Sequence, residues 1–257
     1  MWTSKIGRAK QLKEGLEHAL HAFFASQPYK IDTKTDPQSK RLIYHVTKVD
    51  EVPDEIALIT GDIIQNLRSS LDHLAYQLFT LGPGNGTNGR RIYFPIADTA
   101  AEYKQEKKKK TEGMTQQAKG VIDTIKPYRG GNDTLWKIHK LNNIDKHRLL
   151  VTVVSSLGSV DLGAHTVAQL RRESSELNFP DWYAFFRPAG PYLPMKVGDE
   201  LLIDAPDAEP IPTMQFRIQV VIYEPGIVEG EPVLDLLQAM FDSVTSLVPI
   251  FAPLLTK

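Results

Sequence analysis

The hydrophobic positions change period part-way along the chain. From Ser4 to Ala25, Ile6, Leu12, Leu16, Ala19, Leu20 and Phe23 recur at helical spacing with Lys and Glu between them. This predicts an amphipathic helix with one buried face, ended by Gln27-Pro28. Tyr29–Thr35 and Leu42–Val49 alternate in type around Asp36-Pro37-Gln38-Ser39, so they predict a β-hairpin. Pro53, Asp54 and Glu55 suit the first turn of a second helix, 54–80, which Gly82-Pro83-Gly84-Asn85-Gly86 stops. Arg91–Ile96 reads as a short extended segment interrupted by Pro95. Polar helices follow over Ala100–Lys110 and Thr115–Lys126, and Asn132 or Asp133 caps a further one, 133–148.

Beyond Leu149 the period becomes that of strands. Five are predicted: Leu150–Ser155, His165–Leu170, Trp182–Phe186, Glu200–Asp204 and Met214–Tyr223, separated by Gly, Pro and Asp clusters. A closing helix runs from Pro232 to about Val248. Val233, Leu236, Leu237, Met240, Phe241 and Val244 form its apolar face, for burial against the sheet or in a homodimer. This order predicts an α+β fold in a single interleaved domain, 1–257: helix-rich 1–149, strand-rich 150–224, closing helix 232–248. Helices 54–80 and 133–148 are expected to pack together beside an antiparallel sheet, which the early hairpin is free to join.

Composition narrows the chemistry. Thirty basic and thirty-one acidic side chains among 257 residues leave a net charge of −1, which argues against a broadly electrostatic nucleic-acid binder. The sequence has no cysteine, so disulfides, thiolate metal sites and cysteine nucleophiles are excluded. The N-terminus is charged throughout, and the longest uncharged apolar stretch, Ser243–Thr256, is short and holds Pro249 and Pro253. A cytoplasmic protein with no membrane partner is expected.

Two helices carry polar residues beside apolar stripes. In helix 54–80, Ile56, Ile63, Leu67, Leu71, Leu74 and Leu78 form the stripe, bordered by Asp62, Asn66, Ser69, Ser70, His73 and Gln77. Arg68 and Asp72, four apart on the other flank, suit an intrahelical ion pair. In helix 133–148, His139, Asn142 and Lys146 interrupt a face made by Leu135, Ile138 and Leu149, with Asp145 and His147 on its shoulders. Buried polar groups need partners. The strips are therefore solvated boundaries, a structural network joining the helices, or a site in which Asp62, Asn66, His73, His139, Asn142 and Lys146 converge. Arg68, Asp72, Asp145 and His147 would then lie at its edge.

The run Gly61-Asp62-Ile63-Ile64-Gln65-Asn66-Leu67-Arg68-Ser69-Ser70-Leu71-Asp72-His73, with Leu141-Asn142-Asn143-Ile144-Asp145-Lys146-His147-Arg148 downstream, resembles a bacterial family of unassigned activity. More loosely, the first helix resembles the HEPN superfamily (higher eukaryotes and prokaryotes nucleotide-binding domains). Those helical domains often cleave RNA with an arginine followed a few residues later by a histidine, and Arg68 and His73 match the spacing. The resemblance implies that Arg68 stabilises the phosphorane-like transition state. It makes His73 the general acid or base on the ribose hydroxyl and the leaving group. RNA or a nucleotide would be the partner, with no metal or other cofactor.

The functional expectation is an HEPN-like RNA-binding protein or metal-independent ribonuclease. One alternative is a non-enzymatic structural or ligand-binding protein built on a polar network between the two helices. Another is a metal site drawing on His73, His139, His147 and Asp62 or Asp145. Neither helix carries the HExxH or ExxH spacing that sets two ligands on one face, so the expected metal complement is none. The basic run Lys107–Lys110 is either a solvated helix end or a phosphate contact.

Overall fold

The computed structural model describes residues 2–83, 89–147, 151–163, 185–186 and 193–256, without the side chains of Lys146, His147, Phe185 and Phe186. The fold is α+β. Its elements are α1 (Trp2–Ala25), β1 (Tyr29–Thr35), β2 (Arg41–Val49), α2 (Asp54–Thr80), α3 (Ala100–Lys110), α4 (Gln116–Ile125) and α5 (Asp133–His147). There follow β3 (Val153–Asp161), β4 (Phe185–Phe186), β5 (Glu200–Pro206), β6 (Gln215–Glu224), β7 (Val228–Pro232), α6 (Val233–Thr245) and α7 (Leu247–Phe251). The chain divides into two compact units, each discontinuous in sequence: Met1–Leu20, Asp54–Thr152 and Glu224–Lys257 form one, His21–Pro53 and Val153–Tyr223 the other.

The first unit is helical. Acidic Asp54 and Glu55 occupy the first turn of α2, where they complement the helix dipole. Thr99 and Thr115 cap α3 and α4 by accepting from the Glu102 and Ala118 amides, each at 3.1 Å. Of the two cap candidates for α5, Asn132 is the one used: its Oδ1 accepts from Leu135 N–H at 3.0 Å. The stripe of α2 is fully buried and faces α5 and α6. Leu135, Ile138 and Leu141 of α5 and Leu237, Met240 and Val244 of α6 complete the core, with Phe94 and Phe251 stacked edge to face at 6.5 Å. The closing helix thus buries its apolar face against other helices, where burial against the sheet was expected. The reason is that α2 presents a continuous apolar stripe to it and α5 adds Leu135, Ile138 and Leu141.

Val233–Leu254 is a 22-residue stretch long and apolar enough to cross a membrane, with a mean hydropathy of 1.4. Counting only the uncharged run after Ser243 misses it. One of its faces is nevertheless committed to the core of this unit, through Leu236, Leu237, Met240, Val244, Leu247 and Phe251. Asp235 and Asp242 are exposed on the other face.

Arg91–Ile96 is not a strand. Gly89–Arg91 makes a single 3₁₀ turn, and Pro95 lacks the N–H a ladder would use. Among the described residues the only pairing nearby is a bridge between Ala97 and Tyr128.

The second unit holds two antiparallel sheets where one was expected. β2 pairs with β1 and with β5, giving the order β1-β2-β5, while β3 lies between β4 and β6. The hairpin therefore recruits β5 and leaves β3 with β6. Val46 and Leu201 from one sheet and Leu157 and Val160 from the other meet Leu162 and Met195 in a common core. Tyr29 and Ser155 hydroxyls bond across it at 2.7 Å. β3 begins at Val153, later than expected, and continues to Asp161. The expected strand His165–Leu170 and most of Trp182–Phe186 lie outside the described residues. β7, with Gly230 and Pro232 in only five residues, was not anticipated.

Candidate functional site

The polar residues of α2 and α5 meet around Arg68, within the first unit. Its side chain is 5% exposed. On α2 itself, one guanidinium nitrogen donates to Asp72 Oδ1 at 2.5 Å, the i to i+4 pair read from the sequence. The second donates to the carbonyl of Phe94 at 3.2 Å, and Phe94 N–H in turn donates to Asp72 Oδ1 at 3.0 Å. The third, Nε, donates to His139 Nδ1 on α5 at 3.4 Å. A guanidinium offers donors in a planar fork, and here each of its nitrogens has a protein acceptor. Pairing with Asp72 offsets the desolvation of the buried charge.

His139 is neutral as a consequence. Burial, reinforced by the cations of Arg68, Lys110 and Lys140 and only partly opposed by Asp98, pulls its pKa down to about 4. With Nδ1 accepting from Arg68, the ring proton sits on Nε2. That nitrogen lies 3.3 Å from the Asn143 amide, whose oxygen meets it when the isosteric amide faces the ring. A second cluster adjoins the first: Asp98 accepts from Trp136 Nε1 at 2.7 Å and from Lys140 at 3.2 Å. These bonds, the Trp136 one foremost, hold the Asp98 carboxyl below its ordinary range. The Arg129 guanidinium stacks on the other side of this cluster, 4.8 Å from the Trp136 ring centroid.

The expected centre and edge of the site are exchanged. Arg68 and Asp72, expected at the edge, form the hub with His139. A helical wheel locates a Cβ, whereas an arginine fork reaches past its own flank to the neighbouring helix. Asp62 is exposed, and Asn66 donates to the Asp62 carbonyl of its own helix at 2.8 Å. His73 is half-buried and makes no hydrogen bond among the described residues. Asn142 is 2% exposed, and its Oδ1 has no partner among the described residues. Asp145 lies against α2 where the helix has no side chain: a Cβ on Gly61 would stand 2.3 Å from Asp145 Oδ1. The Lys146 and His147 side chains lie outside the described residues.

Ser70 and Thr60, buried on α2, satisfy their hydroxyls on carbonyls of their own helix, Leu67 O and Ile56 O, each at 2.7 Å. Among the described residues no three His, Asp or Glu side chains converge in a metal-holding group. The basic run is divided: Lys107 pairs with Asp123 at 2.6 Å and Lys110 with Glu106, while Lys108 and Lys109 are exposed.

Sequence reasoning missed Phe94, Asp98, Trp136 and Asn143. Trp136 carried a usable signal, since a buried indole N–H needs an acceptor. Phe94 carried none, because it takes part through its backbone. No family model matches this sequence, and comparison with curated proteins and with solved structures returns no similar chain.

Proposed function

We propose that this chain is a non-enzymatic structural or ligand-binding protein, in which the α2–α5 polar residues form a clasp rather than a catalytic centre. One observation carries the reading: every nitrogen of the Arg68 guanidinium is already bonded inside the fold, to Asp72, Phe94 and His139. A transition-state stabiliser must offer free donors to developing charge. Arg68 is buried with each of its nitrogens committed to a protein acceptor, and His73 has no bond to it among the described residues. The clasp has a mechanical role instead, adding polar bonds between α2, α5 and the Ile92–Ala97 segment to the packing of the buried Ile92, Phe94 and Ile96. A cytoplasmic setting belongs to the same reading, supported by a chain without cysteine.

The test is direct. Incubated with RNA in EDTA, the purified chain should leave the RNA intact, as should His73→Ala, while Arg68→Met melts well below the parent. EDTA-resistant cleavage that disappears in His73→Ala and Arg68→Ala would restore the ribonuclease reading.

A further inference from the structure

The second unit holds an open cleft of about 470 Å³, within the size range of small-molecule sites. Among the described residues its walls are mostly apolar: Val49 at the end of β2, Val153 and Val154 at the start of β3, and Met195 and Val197 ahead of β5. Val197 stands at the rim with 64% of its surface exposed.

Asp50, Glu51 and Lys196 add charged side chains to the lining, and the backbone of β3 adds a donor and an acceptor. β3 runs antiparallel to β6, with Val153 opposite Ile222, Ser155 opposite Val220, and no register shift before Leu157. In such a ladder successive residues aim their N–H and C=O to alternate sides. The Ser155 carbonyl is turned away from β6, because it accepts from Met195 N–H at 2.9 Å. Val153, two residues earlier, therefore turns its own N–H and C=O away from β6 as well. β4 covers this edge of β3 only at Val160 and Asp161. Among the described residues, no backbone bond outside the ladder engages Val153. Among the described residues, a donor and an acceptor without a backbone partner on one residue thus border a cleft of mainly apolar lining.

From this juxtaposition we infer that the cleft binds a short extended peptide or peptide-like amide with a branched apolar side chain. One ligand residue pairs with Val153 as in a sheet: its N–H donates to the Val153 carbonyl, and its C=O accepts from Val153 N–H. Directly paired residues share a face of a sheet, so its side chain lies on the side of Val153, in the cleft that Val49 and Met195 also line. This goes beyond the reading of the α2–α5 clasp and does not depend on it.

The experiment is an amide NMR titration of the full chain with N-acetyl-leucine N-methylamide. A saturable shift of the Val153 signal at millimolar probe is expected, together with shifts at Met195 and Val197. The α-acetoxy analogue, in which oxygen replaces the acetamide N–H, loses one hydrogen bond and binds roughly fivefold more weakly. Val197→Asp, at an exposed position that leaves the fold intact, weakens binding severalfold. A titration that does not saturate, equal affinity for the two probes, or unaltered affinity in Val197→Asp overturns the inference.

Discussion

Acid should loosen the clasp through His139 as the pH falls below about 6.5. The perturbed group is His139, whose pKa falls from an ordinary 6.5 to about 4 through burial and the cations of Arg68, Lys110 and Lys140, against the opposing charge of Asp98. Between these two values the unfolded chain binds a proton that the folded chain refuses, so folding stability rises with pH across the window. Above about pH 6.5 the residue has no effect. Below about pH 4 the whole penalty is expressed, about 3 kcal/mol at about 1.4 kcal/mol per tenfold change in proton affinity. Protonation also turns Nδ1 from acceptor to donor, so that Arg68 Nε faces a like charge where it had a bond. The assay is urea unfolding followed by circular dichroism from pH 7.5 down to 4.5, for the parent and for His139→Gln, which can still accept from Arg68. The Asp98 carboxyl, held below its ordinary range, titrates beneath this window and does not interfere. The other six histidines contribute equally to both proteins, so the difference isolates one residue. A parent whose stability is flat over the window, or a slope that persists in His139→Gln, refutes the reasoning.

Three further outcomes are expected. Arg68→Met should cost about 3 kcal/mol in thermal or urea unfolding, because Asp72, the Phe94 carbonyl and His139 all lose a donor at once. Gly61→Ala should destabilise by about 1–3 kcal/mol despite alanine's better helix propensity, and Asp145→Ala in the same chain should recover most of the loss. Asn142→Leu, by contrast, should change stability by less than about 1 kcal/mol or raise it, because the buried amide oxygen it removes has no partner among the described residues.

The helices were legible because each signal was local. Apolar spacing marks α2, Thr99, Thr115 and Asn132 cap α3, α4 and α5, and Gly82, Gly113 and Pro127 follow α2, α3 and α4; the helix ends agree with the structure to within a residue or so. The hairpin of β1 and β2 was legible for the same reason. Which strands share a sheet was not, because the pairing of β2 with β5 joins residues far apart in sequence and leaves no local trace. In the candidate site, Arg68 and Asp72 could be read as a pair from their spacing alone. Their third partner is the peptide group of Phe94, which no side-chain pattern encodes. Asn142 was read correctly as buried. Its lack of a partner depends on the neighbouring helices and could not be read.

The discontinuity of the first unit sets a condition on how it can be made. α2 is made before the second unit's 153–223 segment, yet α6 and α7, which supply Leu237, Met240 and Phe251 to the same core, are made after it. Until they are synthesised, the stripe from Ile56 to Leu78 lacks the cover of α6. Non-local closure of this kind slows folding and lengthens the time apolar surface is exposed. A C-terminal truncation before Val233 would therefore do more than shorten the protein. It would leave a translated, aggregation-prone helix pair, so the integrity of this unit is decided by residues made long after α2 and α5.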